Sequence, residues 1–139
     1  MITEDYVSFE IAKLLKEKGF NEICEYEYGV PNIDNGYILQ RFFKPIKNSE
    51  LIDDAYTAPT FQMARKWLME VHNIYFSVVP HSYKEGKPFD YEFVYWHDDE
   101  YHTPYDEKHP TYHKLFGKTW KKYEEACDVA IKYFLENLI

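Results

Sequence analysis

The stretch Phe89 to His97, which reads FDYEFVYWH, decides the fold of this chain. Aromatic residues occupy every second position of it: Phe89, Tyr91, Phe93 and Tyr95. Alternation is the side-chain period of a β-strand, so one face of the predicted strand carries four rings. The opposite face begins acidic and turns apolar at Val94 and Trp96. The pattern predicts a strand with an aromatic core face, but it does not indicate a reaction.

A second strand precedes this one. Residues 74–79, IYFSVV, are β-branched and aromatic, whereas residues 80–88 carry charges and Gly86, which suits a turn. The two strands therefore predict an antiparallel hairpin. Shorter strands are predicted within residues 22–51, where Cys24–Tyr28 alternates and a turn signal precedes a strand at Tyr37–Phe43.

Three helices are predicted from apolar residues at helical spacing. The first covers about 8–18, with Ser8 as N-cap and Gly19 as its stop. The second follows Ala58-Pro59-Thr60, with the proline in its first turn. Its apolar stripe is Phe61, Ala64, Trp67, Leu68 and Val71. The third covers about 122–138, with Tyr123, Cys127, Ala130, Ile131, Phe134 and Leu138 on its stripe.

These elements predict an α+β fold. Strands and helices do not alternate regularly, so parallel crossovers are not required. We expect one antiparallel sheet of about four or five strands, with the three helices packed mainly on one face. The length of 139 residues suits a single domain over residues 1–139. Residues 98–118 are polar, contain Pro104 and Pro110, and show no periodicity.

Composition excludes several classes of protein. The chain is 45% hydrophobic and 19% aromatic, which argues against disorder, and its formal net charge of −8 argues against binding a phosphate backbone. It shows neither a signal peptide nor a run of apolar residues long enough to span a membrane. Cys24 and Cys127 cannot form a CxxC pair, and we expect two buried free thiols. These features predict a cytoplasmic protein without nucleic-acid or membrane partners.

Histidines gather in the polar segment. His97, His102, His109 and His113 lie there among acidic residues, and imidazoles with carboxylates are ligands of zinc, manganese or iron. Pro110 stands where the zinc-protease pattern requires glutamate, and the remaining spacing matches no metal motif. A solvated charged loop is the simpler interpretation. We predict no cofactor and keep metal binding or hydrolysis by segment 97–113 as the alternative.

Other catalytic patterns are incomplete. Gly117-Lys118-Thr119 resembles the end of a phosphate-binding loop, but Tyr112 occupies the position of its first required glycine. None of the four serines lies in a Gly-x-Ser-x-Gly elbow. The sequence therefore leans against an enzyme.

Aromatic residues beyond the core predict an interaction surface. Val94 and Trp96, joined by Tyr101 and Tyr105, are more aromatic than an outer sheet face requires. Exposed aromatic residues of this kind are typical of protein interfaces. Base stacking would need interleaved arginines, and the chain has only Arg41 and Arg65.

Three segments carry a resemblance to a known family. They are VSFEIAKLLKEKGF at 7–20, TAPTFQMA with KWL and EVH at 57–72, and YEEA through LENLI at 123–139. Together these phrases resemble a family of small uncharacterised proteins encoded in prophage-like or mobile elements of gut bacteria. The resemblance implies a bacterial or phage cytosolic context, and it implies no activity, cofactor or site residue.

The leading hypothesis is a non-enzymatic accessory protein of a phage or mobile element that acts by protein–protein interaction. One version is an acidic decoy of a basic partner, which the charge of −8 motivates. Another is self-association through the aromatic hairpin.

Overall fold

The computed structural model describes residues 5–29, 36–102 and 118–139. Within them the chain forms three α-helices: α1 (Phe9–Glu17), α2 (Phe61–His72) and α3 (Tyr123–Asn137). It also forms six strands: β1 (Cys24–Tyr28), β2 (Leu39–Ile46), β3 (Tyr56–Thr57), β4 (Tyr75–Lys84), β5 (Lys87–His97) and β6 (Glu100–His102). A short 3-10 helix covers Asn48–Glu50. Among the described residues, no α-helix combines the length and apolar character that a bilayer-spanning helix requires.

The predicted α+β class, with antiparallel strands and three helices, is confirmed. The described strands form two sheets of three, in the orders β2-β1-β3 and β4-β5-β6, rather than the expected single sheet of four or five. The chain leaves the first sheet after β3, which is only two residues long. Buried Ala58 and Pro59 come next, and a proline has no N–H to continue a ladder.

The chain divides into two compact units. Unit 1 comprises residues 1–64 with 132–139, and unit 2 comprises residues 65–131. The three-stranded sheet β2-β1-β3 belongs to unit 1, and the sheet β4-β5-β6 belongs to unit 2. The expectation of one domain over residues 1–139 stays a prediction.

Both ends of α1 follow the sequence signals. The Ser8 hydroxyl accepts a hydrogen bond from the Ile11 N–H at 3.4 Å, which satisfies one free donor of the first turn. Gly19 adopts φ +96°, a conformation in which a side chain would be strained, and the helix ends there. Phe20 follows and is buried, 1% exposed.

The start of α2 differs from the prediction. Pro59 lies before the helix rather than in its first turn, and Thr60 is the N-cap, because its hydroxyl accepts a hydrogen bond from the Met63 N–H at 3.1 Å. Pro59 precedes the cap, and its carbonyl accepts a hydrogen bond from the Val7 N–H at 3.0 Å. Val71, predicted on the apolar stripe, is instead 59% exposed.

The sheet of unit 2 has one covered face. Helices contact it there, since Arg65 of α2 lies 5.6 Å from the Phe76 ring and Tyr123 of α3 lies 5.9 Å from the Tyr91 ring. Phe93 and Tyr95 lie on this face and are 1% and 3% exposed, as the alternating pattern predicts. Among the described residues of this unit, helices therefore pack on one face of the sheet, and the exposed side chains of Tyr75, Trp96 and Tyr101 mark the other, hereafter the open face.

Bulges and tight turns shape the hairpin of β4 and β5. Lys84 pairs with Lys87, so the turn consists of Glu85 and Gly86 alone and is much shorter than the predicted 80–88. The register shifts on both sides of Ser82, and beyond this irregularity Phe89 is 44% exposed. The alternation of four rings therefore does not bury its first member, because a bulge rotates side chains out of the regular pleat.

The segment predicted as a loop, 98–118, contains a strand. Residues Glu100–His102 form β6 and pair with β5. Just after the segment, Trp120 forms an antiparallel bridge with Tyr91. The two backbone hydrogen bonds of that bridge are 2.7 and 2.9 Å long. The part of the segment at 103–117 lies outside the described residues.

A buried asparagine links three parts of unit 1. Asn48 is 4% exposed. Its side-chain amide N–H donates to the Phe20 carbonyl at 2.8 Å, and its side-chain oxygen accepts from the Thr57 N–H at 2.9 Å. The end of α1, the 3-10 helix and β3 are thereby held together by one side chain.

We expect Asn48→Ala to lower the free energy of unfolding by about 2–4 kcal/mol, because a buried carbonyl and a buried N–H lose their partners. Urea denaturation at neutral pH measures the change. Ser49→Ala is the control, since the Ser49 side chain is exposed and only its backbone N–H is bonded, to Asn21 at 2.8 Å. Equal stabilities of the two variants would contradict this role of Asn48.

Candidate functional site

An exposed aromatic row crosses the open face of the sheet in unit 2. Tyr75 of β4 pairs with Trp96 of β5, and Trp96 pairs with Tyr101 of β6. The three residues are 44%, 51% and 50% exposed. The Trp96 and Tyr101 rings are 5.2 Å apart and tilted by 48°. Directly paired residues share a face, so Tyr75, Trp96 and Tyr101, hereafter the aromatic row, form one continuous surface.

An acidic turn borders this row. His97 pairs with Glu100, so Asp98 and Asp99 are the two residues of the hairpin loop. Their φ values are 53° and 61°, the combination that defines a type I′ turn. Asp98, Asp99 and Glu100 are all exposed. Three carboxylates therefore lie at the tip of the hairpin that carries Trp96 and Tyr101.

A cleft of about 350 Å³ opens between the row and the turn. It is lined by Asn73, Tyr75, Trp96, His97 and Asp99. Two aromatic side chains and one carboxylate are a suitable environment for a cation, because an ammonium or guanidinium group is attracted by a ring face and by a negative charge.

The predicted interaction residues have different placements. Trp96 and Tyr101 meet on the open face, whereas Val94 is half-buried and lies on that face beside Ser77. Tyr105 lies outside the described residues. Sequence reasoning missed Tyr75, although it placed this residue in the correct strand. Tyr75 can be assigned to the aromatic row only from its pairing with Trp96, and that pairing is known only once the register of the hairpin is known.

The histidine candidates lie elsewhere. His102 pairs with Tyr95 and stacks on its ring at 4.8 Å, so it lies on the covered face of the sheet, opposite the aromatic row. Each described candidate has an acidic neighbour: His97 Nδ1 is 3.5 Å from Asp98, and His102 Nε2 is 3.9 Å from Glu100.

The remaining candidates, His109 and His113, lie outside the described residues. Within residues 5–29, 36–102 and 118–139, no three His, Cys, Asp or Glu side chains form a group that could hold a metal ion. Metal binding by the four predicted histidines stays a prediction.

A buried carboxylate forms a polar cluster in unit 2 that sequence reasoning did not single out. Asp90 is 9% exposed. It accepts hydrogen bonds from the Ser82 hydroxyl at 2.6 Å, the Ser82 N–H at 3.0 Å and the Thr119 hydroxyl at 2.8 Å. His81 Nδ1 lies 3.4 Å away. The Ser82 hydroxyl, followed by the Thr119 hydroxyl, lowers the pKa of the Asp90 carboxyl below its ordinary value.

Serine, histidine and aspartate meet in this cluster, but their order is not that of a catalytic triad. In a triad the histidine stands between the serine and the carboxylate and accepts the serine proton. Here the Ser82 hydroxyl donates directly to Asp90, and His81 approaches the same carboxylate oxygen. The imidazole therefore does not stand between the hydroxyl and the carboxylate, as it does in a triad. The cluster instead joins the β4 bulge, β5 and the segment containing Thr119.

Both cysteines are buried and free, as expected from the sequence. Burial is the main cause that raises the pKa of the Cys24 thiol to about 11, and it does the same for Cys127. A thiol is nucleophilic only as the thiolate, so neither group is prepared for nucleophilic catalysis.

Comparisons with known proteins give no relative: no protein-family model, no curated protein and no solved structure matches this chain.

We expect Cys24 and Cys127 to react slowly with a thiol reagent in the folded protein, because a pKa of about 11 leaves about one thiol in a thousand ionised at pH 8. Absorbance after addition of an aromatic disulfide reagent measures the rate. The control is the same protein in concentrated urea, where both thiols should react at once. Equal rates with and without urea would contradict the burial of these groups.

We expect Asp90→Asn to be less stable than the wild type at neutral pH, and the difference to shrink as the pH falls. A carboxyl whose pKa is lowered by folding stabilises the fold above its unfolded pKa of about 3.9 and loses this effect as the pH drops through the folded pKa. Urea denaturation at several pH values measures the difference. Glu85→Gln, at an exposed turn position of the same sheet, is the control. An Asp90→Asn variant as stable as this control at neutral pH would contradict the role of the cluster.

Proposed function

We propose that this chain is a non-enzymatic interaction protein whose aromatic row binds a basic segment of a partner protein. The observation that carries the proposal is the junction of the row with the acidic turn at Asp98–Glu100. Large rings and negative charges lie side by side there, on the open face of a sheet whose other face is covered.

The rings supply the apolar part of such an interface. Trp and Tyr are the residue types most enriched among those that dominate binding energy, and a cluster of them is effective when its neighbours exclude water. The aromatic row spans all three strands of the sheet, so its backbone is fixed by pairing on both sides of β5. A rigid aromatic surface loses little conformational entropy on binding.

The charges select the partner. Asp98, Asp99 and Glu100 border the rings, and the whole chain carries a formal net charge of −8. Opposite charges accelerate encounter and discriminate against acidic partners. A lysine or arginine side chain of the partner could enter the cleft between Tyr75 and Trp96, with Asp99 as its counter-charge.

This chemistry supports the decoy version of the hypothesis. A protein that normally binds nucleic acid presents basic side chains, and an acidic aromatic surface can occupy them. The origin of the chain in a phage or mobile element, which the family resemblance implies, remains part of this proposal.

We expect Trp96→Ala to weaken binding of an arginine-rich peptide by about tenfold or more, because the central ring of the row is removed. Isothermal titration calorimetry at low salt measures the affinity. Tyr83→Ala is the matched control, since Tyr83 is 65% exposed on β4 but lies outside the row. A peptide with citrulline in place of arginine separates charge from shape. Failure to detect binding of the arginine-rich peptide to the wild type would contradict the proposal.

We expect the double variant Asp98→Asn, Asp99→Asn to bind the same peptide more weakly at low salt and to lose most of the salt dependence. Asparagine tolerates positive φ, so the turn is kept while two charges are removed. Affinities at about 0.05 M and about 0.5 M salt measure the effect, because screening weakens exposed charge pairs. Wild-type affinity that is equal at both salt concentrations would count against a basic partner.

A further inference from the structure

A phenylalanine projects from the edge of the sheet in unit 1. Cys24 pairs with Ile46 and Tyr26 pairs with Arg41, so four residues of β2, numbers 42–45, lie opposite the single residue Glu25 of β1. Phe43 lies within this bulge and has a relative exposure of 107%, the highest among the exposed apolar residues of the described chain. Bulges redirect side chains away from the regular pleat, and this one presents the Phe43 ring to solvent.

A cleft of about 340 Å³, lined by both apolar and polar side chains, lies beside the bulge. It is lined by Tyr6, Ile23, Cys24, Glu25, Pro45, Ala58, Pro59, Thr60 and Met63. Pro45 belongs to the bulge itself, two residues after Phe43, so the projecting ring and the cleft are neighbours on one surface. Engineered apolar cavities of roughly 150 Å³ bind benzene, so the cleft has room for a phenyl ring.

The residues near the Phe43 ring and those lining the cleft carry opposite charges. Lys44 directly follows Phe43 and Arg41 lies two residues before it, whereas Glu25 lines the cleft. Among the described residues none of these three side chains forms an ion pair. A ring flanked by cations and a cleft bordered by a carboxylate can therefore attract each other when they belong to different molecules.

We infer that two copies of this chain associate through this surface, each inserting Phe43 into the cleft of the other. The argument for a second copy is that both complementary parts lie on one chain and adjacent to each other. In a dimer with a two-fold axis, the Phe43 ring of each copy meets the cleft of the other, so the same contact forms twice. This is the arrangement of an isologous dimer. In it, Lys44 of one copy approaches Glu25 of the other.

Continuation of the sheet across the dimer is disfavoured at this edge. Lys44 and Pro45 lie in β2, which has β1 as its single neighbour among the described strands. A lysine and a proline are the residues that natural edge strands use against strand addition. We therefore expect a contact made by side chains and limited to the ring, the cleft and the charges beside them. Interfaces below about 1,200 Å² are weak, so we expect a dissociation constant in the micromolar range or above.

Sedimentation equilibrium at rising concentration, up to about millimolar, tests the inference, because weak dimers form only there. We expect a reversible monomer–dimer equilibrium for the wild type and at least about tenfold weaker association for Phe43→Ala. Ile52→Ala is the matched control, since Ile52 is 62% exposed in the same unit but does not line the cleft. A wild type that stays monomeric, or two variants that associate equally, would overturn the inference.

A charge exchange tests the pairing itself. Glu25→Lys and Lys44→Glu should each weaken self-association, because like charges then meet twice across the two-fold axis. An equimolar mixture of the two variants should form a heterodimer at close to wild-type affinity, since both contacts again join opposite charges. The double variant in one chain should recover for the same reason. A mixture that associates no better than its components would refute the reciprocal contact.

Discussion

The register of β5 against its two neighbours is the constraint on which the surface of unit 2 depends. Trp96 lies opposite Tyr75 on one side and opposite Tyr101 on the other. A slip by one residue would turn Trp96 toward the helices and expose the buried ring of Phe93. The tight turns at both ends of the strand prevent that slip, because a two-residue type I′ loop permits only one pairing of its flanking residues. Asp90 fixes the middle of the hairpin, where the ladder is irregular.

Local periodicity predicts the elements of this fold well, since α1, α3 and β5 are specified by residues close in sequence. It does not predict how the strands are divided between sheets. Cys24–Tyr28 and Phe89–His97 both read as strands with one apolar face, and neither contains a signal that assigns it to a particular sheet. Pairing over long separations in sequence is decided by tertiary packing, which outweighs local propensity. The bulge that exposes Phe89 cannot be predicted from the sequence either, because the alternation of aromatic residues continues through it.

The candidate surface was partly predictable for the same reason. Trp96 is conspicuous because it alternates with the core positions of a predicted strand, and Tyr101 because it is a large aromatic residue in a polar segment. Tyr75 becomes part of the surface only through the register, and Asp90 reads in the sequence as an ordinary solvent-facing acid. Its burial follows from Ser82 and Thr119, which come from a bulge and from a segment 29 positions away. Nothing in the local pattern around Asp90 indicates those two hydroxyl groups.

The acidic turn at Asp98 and Asp99 does not have the most stable sequence for its conformation. Type I′ turns favour Asn-Gly or Asp-Gly, since both central residues have positive φ. Asp99 occupies the position where glycine would remove the strain, and it also adds repulsion to Asp98 and Glu100. Aspartate tolerates positive φ better than most residues other than glycine, so the turn forms in spite of this cost. Under the proposed function, binding of a basic partner would convert the mutual repulsion of these carboxylates in the free protein into attraction across the interface.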